Sequence, residues 1–292
     1  MKESQEMTRQ GYTDEKPINP FSQEMNILQQ LQKAKLVKFP DYVLNCQYLT
    51  IMGSQAYGIK SKDSDIDLYG FCIPPKEIIF PFLAKEIEGF GTKQPRFNQF
   101  QIQHIFFDKQ EYDITVYSIV KYFHLCMENN PNMIDSLFTE FSKVLIHSEF
   151  SRKVRVNRHI FLHKGCYYKF SGYAHSQIQK AKNRNPIGKR LEVIEKYGWD
   201  VKYGYHLVRL MLECEQILTE GNLDLEQNVD ILTNIKEGKY TLEWVLNFFV
   251  DKEKYLKECY EKSKLPERPN EKAIKNLLLE CLEQHYGEKI WN

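Results

Sequence analysis

Near residue 118 the hydrophobic pattern of this 292-residue chain changes its period. Before that point the apolar runs are short and strand-like. Tyr48–Met52 (YLTIM) stops at Gly53-Ser54, and Ile66–Ile73 (IDLYGFCI) stops at Pro74-Pro75, where proline ends a ladder. Phe100–Phe107 (FQIQHIFF) and Tyr112–Tyr117 (YDITVY) flank the polar turn DKQE and predict a hairpin. After Ser118 the spacing is helical: Ile119, Tyr122, Phe123 and Met127 share a face, and Asn129-Asn130-Pro131 closes that helix before another begins. Further helices are predicted over 149–161, 165–183, 199–219, 241–262 and 270–286, with Thr241 and Asn270 as plausible starts. An earlier amphipathic helix is expected around Met25, Ile27, Leu28, Leu31 and Leu36. The expected fold class is α+β, a small mixed β-sheet domain over 23–148 followed by an all-α helical domain over 149–292. Residues 1–22, polar and carrying Gly11, Pro17 and Pro20, read as a flexible lead-in.

Charge and cysteine usage narrow the class. Forty basic against 39 acidic side chains leave a net charge of +1, which excludes a general basic coat for nucleic acid but not a local patch. The seven cysteines are scattered and form no C-x-x-C pair, so reduced thiols are expected rather than a zinc ribbon or a dithiol redox site. The N-terminal MKESQEMTRQGYTDEKPINP lacks the apolar core of a signal peptide, and no run approaches the ~18 apolar residues of a membrane span. The expectation is a cytoplasmic protein with no membrane partner.

One constellation carries chemistry. Met52–Tyr69 reads MGSQAYGIKSKDSDIDLY: a strand runs into Gly53-Ser54, and eleven residues after the serine Asp65-Ile66-Asp67 opens the next strand. Gly53, having no Cβ, allows the backbone to approach a bulky anion closely. Ser54 adds a hydroxyl where a short helix begins, whose free N–H groups can hold phosphate. Asp65 and Asp67, two apart on a strand, project from one face while Ile66 turns inward. Carboxylates that close repel unless a divalent cation lies between them, and hard oxygen ligands favour Mg²⁺ or Mn²⁺. Asp113, opening the β-branched run Ile114-Thr115-Val116, is the best candidate for a third carboxylate on a neighbouring strand. Taken alone, D-x-D is more often a solvated strand end; the order Gly-Ser, then D-x-D, then a hairpin bearing Asp113 is far more specific.

The pattern G-S-x-x-x-G-x5-S-D-x-D-L resembles the nucleotidyltransferase signature of the DNA polymerase β superfamily, above all the bacterial and phage branch in which GSxAYG precedes SDxD. Asp113-Ile-Thr-Val-Tyr-Ser and Asn130-Pro131-Asn132 resemble that branch's third-carboxylate strand and the region after it. Phe170–Gln177, Lys202–Arg209 and Ile235–Leu242 are similar to its helical-domain motifs. The similarity covers about 45–290. It implies a polymerase-β-like palm with a sheet of five strands or fewer, two Mg²⁺ ions and an NTP donor. By the same resemblance Gly53 and Ser54 would bind the donor's phosphates, and Asp65 and Asp67 would hold both metals. Asp113 would complete the site and help deprotonate the nucleophile. The implied reaction is metal-dependent transfer of a nucleoside monophosphate to a hydroxyl with release of pyrophosphate. RNA or a tRNA end, a protein hydroxyl (AMPylation or a toxin–antitoxin role) and a small molecule such as an aminoglycoside stay open as acceptors. Two other classes compete. A non-catalytic nucleotide- or RNA-binding module is opposed by the three intact acids, and a nucleotide phosphohydrolase by the lack of a His-Asp pairing.

The helical half adds weaker features. Lys202, His206 and Arg209 fall at i, i+4 and i+7, a row able to bind triphosphate or an RNA backbone; the bland alternative is an exposed face with intramolecular partners such as Glu213. Tyr173 and Gln177, one turn apart, are candidates to stack on and hydrogen-bond to a base, with core packing of Tyr173 equally open. The basic run Lys180–Arg190 is either a solvated linker or a loop guiding a polyanion.

Overall fold

A computed structural model describes residues 25–59, 64–183 and 188–287. The expected lead-in, residues 1–22, and residues 184–187 of the basic run lie outside them. Residues before Phe39 form a unit of their own. Its described part holds helix α1 (Ile27–Lys33), opened by a capping box in which Asn26 and Gln29 each bind the other's backbone N–H.

From Phe39 onward a five-stranded mixed sheet is followed by helices. The strands are β1 (Tyr48–Met52), β2 (Ile66–Cys72), β3 (Gln99–Phe107), β4 (Gln110–Ser118) and β5 (Val144–His147), in the spatial order β3-β4-β2-β1-β5. Only β2 and β4 pair in parallel; the other neighbours are antiparallel. The 100–117 hairpin forms as expected, turning at Asp108-Lys109, both at positive φ. Short helices α2 (Asp41–Leu44), α3 (Gly53–Ala56) and α4 (Lys76–Ile79) join the strands. Then come α5 (Ile119–Met127), α6 (Pro131–Phe138), α7 (Glu149–Val156), α8 (Cys166–Asn183), α9 (Lys189–Tyr197), α10 (Val201–Glu220), α11 (Val229–Lys236), α12 (Leu242–Lys262) and α13 (Glu271–Tyr286). Side chains cap the two starts read from the sequence, Thr241 for α12 and Asn270 for α13, and likewise Ser118 for α5 and Asp200 for α10. The structure adds elements the sequence reading lacks: β5 is an added short strand, α2, α4 and α11 are added helices, α9 begins within the basic run, and the helix expected over 149–161 ends at Val156.

Sheet and helices share one core. Tyr48, Phe71 and Tyr122 stack together beneath the sheet, and the same apolar cluster continues through Phe123, Phe161 and Phe170 to Val208, Met211 and Leu256. All seven cysteines are buried and unbridged, as expected of reduced thiols.

A charged cluster fixes α10 within this core. The Arg209 guanidinium, 5% exposed, donates to Asp135 of α6 at 2.6 Å and to Glu213 one turn along α10 at 2.9 and 3.0 Å. It lies 4.3 Å over the ring of Tyr57, whose hydroxyl donates to Asp135 at 2.8 Å. Burial pushes both carboxyls up, Glu213 furthest, while Arg209 draws them down. Removing one member of such a cluster strands the others in the core. Arg209→Met is therefore expected to cost about 3–5 kcal/mol of stability, read as a lowered denaturant midpoint. A variant that melts normally yet loses nucleotide affinity would contradict this assignment.

Candidate active site

Strand register assembles the acids. β2 and β4 run parallel with Asp67 opposite Asp113, so both side chains rise from one face, and Asp65 stands just ahead of β2. One oxygen from each of Asp65, Asp67 and Asp113 lies within 4.8 Å of the others. A second device orients Asp113. The β3–β4 register slips between Ile102 and Ile105, and His104 there adopts φ +59°. Its backbone N–H donates to Asp113 Oδ1 at 2.8 Å. The His104 ring lies 2.6 Å from Glu111, which raises the imidazole's pKa, with Asp113 adding to the effect.

Gly53 is required twice over. Its φ is +63°, and a Cβ there would stand 2.0 Å from Asp67 Oδ2. The chain thus leaves β1 for α3 pressed against the acid, and Ser54 follows in the same turn.

The seven residues expected to bind nucleotide, Gly53, Ser54, Tyr173, Gln177, Lys202, His206 and Arg209, all border one cleft of about 690 Å³, together with Asp65 and Asp67. Their situations differ. Lys202 is exposed and forms no ion pair among the described residues. Burial and the surrounding cations Arg209, Lys202, Arg190 and Lys236 hold His206 neutral, well below the usual imidazole range. Arg209 lines the cleft, but its guanidinium is committed to Asp135 and Glu213. The Tyr173 hydroxyl accepts from Asn130 at 2.7 Å.

Several cleft residues were not singled out from the sequence. Tyr168, Lys169, Gly172 and Ser176 lie on α8 one turn from Tyr173 and Gln177, so helical spacing could have extended the face to them. Arg190, from the end of the basic run, lies 4.8 Å over the ring of Tyr203. Lys236 arrives from α11 and donates to the Ile59 carbonyl at 2.6 Å; burial and Lys202 lower its pKa, and Asp65 raises it. Lys236 falls in the family-like run Ile235–Leu242, but no role is read for it there.

Asp67 reports what the acids suit. Burial, then the neighbouring Asp65 and Asp113, push its carboxyl up to about 6, and Lys202 alone draws it down. Three carboxylates held this close form an all-oxygen donor set whose mutual repulsion a hard divalent cation would relieve. The residues present fit such an ion.

A sequence profile described as RlaP, the RNA repair pathway DNA polymerase beta family, matches residues 22–280. The chain belongs to this family. It is accordingly a nucleotidyltransferase of the polymerase β type, moving a nucleoside monophosphate. Among solved structures, a nucleotidyltransferase-like protein from Exiguobacterium sibiricum 255-15 is similar at 10% identity and a TM-score of 0.29, over 88% of this chain and 73% of that one. No curated protein matches the sequence. No helix among the described residues is long and apolar enough to cross a membrane.

The raised Asp67 pKa has a stability consequence. The folded state holds this proton more tightly than the unfolded chain, so without a cation the fold loses stability as pH rises from about 4 through about 6. Asp67→Asn is expected to raise the melting temperature of metal-free protein at pH 7.5 by a few degrees, for about 2 kcal/mol, and to leave it unchanged near pH 4. Mg²⁺ should raise the melting temperature of the wild type and not of the variant. Equal melting of the two proteins at pH 7.5 without metal would refute this account.

Proposed function

We propose that this protein transfers a nucleoside monophosphate from an NTP to a hydroxyl at an RNA end, with pyrophosphate as the other product. The observation that carries the reading is the facing of charges across one cleft, with Asp65 and Asp67 of the carboxylate cluster on the sheet side and Lys202, Arg190 and His206 on the helical side. The acids suit the reacting centre and the cations suit a triphosphate. The family description, which names an RNA repair pathway, supports RNA as the acceptor.

In this reading Asp65 and Asp67 would hold two Mg²⁺ ions and Asp113 would complete the site. When bound, such ions neutralise charge on the phosphoryl group and on the leaving oxygens. The chain's own residues do the rest. Gly53 allows the backbone close to the donor, and the Ser54 hydroxyl offers it a hydrogen bond. Lys202 and Arg190 hold the triphosphate by charge, and neutral His206 adds a hydrogen bond without competing for the acids. With Oδ1 of Asp113 occupied by the His104 N–H, its other oxygen is free to take the acceptor's proton.

Pyrophosphate release from NTP in the presence of RNA should require Mg²⁺ or Mn²⁺. Asp65→Ala and Asp67→Ala should each lower it by at least ~10³-fold, the loss expected when metal-borne charge stabilisation is removed. Full turnover in both variants would overturn the reading. Incubation of labelled NTPs with total RNA and cell protein should label a discrete RNA. Label confined to protein would replace the RNA acceptor with a protein hydroxyl.

A further inference from the structure

Two helix-interior glycines of this fold have opposite surroundings. A Cβ on Gly204 of α10 would stand 2.3 Å from the Trp199 ring, so packing demands glycine there. Gly172 in the middle of α8 is exposed, and an added Cβ would meet nothing within 4 Å. Glycine inside a helix is unfavourable relative to alanine, and here neither steric need nor backbone conformation repays it. Gly172 also lines the active-site cleft. One turn to either side on the same helix face stand Tyr168 and Ser176, and both line the cleft as well.

Tyr168 adds a second observation. It is 64% exposed, yet its ring is braced edge-on by Tyr167 at 5.1 Å and Tyr260 at 5.7 Å. An aromatic side chain held rigid while its surface stays in water is suited to stacking on a planar ligand. The charge distribution says which part of a nucleotide belongs here. The unpaired Lys202, with Arg190 and His206, lies on α9 and α10, whereas among the described residues α8 contributes a single cation to the cleft, Lys169, 3.4 Å from Glu128. Phosphates belong with the first group and an uncharged ring with the second.

We propose that the α8 face Tyr168–Gly172–Ser176 is the slot for the nucleobase of the NTP donor. The ring stacks on Tyr168, its flat face approaches the helix backbone over Gly172, and the Ser176 hydroxyl contacts its polar edge. This rests on the transferase reading above and adds the surface that recognises the nucleoside.

Binding of each NTP and of inorganic tripolyphosphate to the Mg²⁺-loaded full chain separates the two ideas. Wild-type protein should bind an NTP more tightly than tripolyphosphate. Gly172→Ala should leave the melting temperature unchanged or slightly raised, weaken NTP binding and raise the donor KM by about tenfold, and leave tripolyphosphate binding as it was. Tyr168→Ala should act likewise, and Tyr168→Phe should restore the affinity. The slot is overturned by Gly172→Ala and Tyr168→Ala variants that bind NTP normally, or by equal loss of NTP and tripolyphosphate. A wild type that gains nothing from the nucleoside overturns the slot alone, whereas failure to bind either ligand and to release pyrophosphate overturns the transferase reading with it.

Discussion

The placement of α10 over the sheet depends on one buried guanidinium. Arg209 reaches across to Asp135 on α6, back to Glu213 on its own helix, and lies against Tyr57 just after α3. Three segments around the acid cluster and the cleft are thereby tied at one point: the turn after Gly53-Ser54, the helix following β4 and α5, and the helix carrying Lys202 and His206. Hydrophobic contact alone would allow neighbouring helices to slide by part of a turn, whereas Nη1 of Arg209 donates to Asp135 and Glu213 together and so ties α6 to α10 at one atom. The burial of two carboxyls beside one cation is costly, and it is offset by this definition of the cleft wall.

Across that cleft the charges are opposed in sign. Acids cluster where β2 and β4 run side by side, and cations gather at the start of α10 with Arg190 and Lys236. Each group favours the charged form of the other, since Lys202 draws the Asp67 pKa down and Asp65 draws the Lys236 pKa up. A near-neutral chain thus carries a strongly polar site, which net charge alone could not reveal.

What was legible in the sequence was what local chemistry dictates. YLTIM ending at Gly53, the hairpin around Asp108-Lys109 and the capped starts at Thr241 and Asn270 each declare themselves within a few residues. β5 could not, because Val144–His147 is a strand only through pairing with β1 about a hundred residues earlier. The helix over Val229–Lys236 starts at Asn228 with no side-chain cap hydrogen bond, and so carries no marked start. The same boundary runs through the site. The spacing of Asp65, Asp67 and Asp113 on strands could be read, and so could the row Lys202, His206 and Arg209. That Arg209 turns to Asp135, 74 residues away, and that Lys236 reaches the Ile59 carbonyl, 177 residues away, are facts of tertiary packing.

The irregularity in β3 reaches beyond the acid it orients. β3 is an outer strand of the sheet, and such strands offer unpaired amide and carbonyl groups on which another chain can build. The slip at His104 turns a β3 amide to the Asp113 side chain and interrupts the regular β3–β4 ladder, while the opposite rim is a strand of only four residues. The feature that aims Asp113 therefore also makes the sheet a poorer template for aggregation, so that repairing the bulge by deleting a residue would put solubility at risk along with the acid cluster.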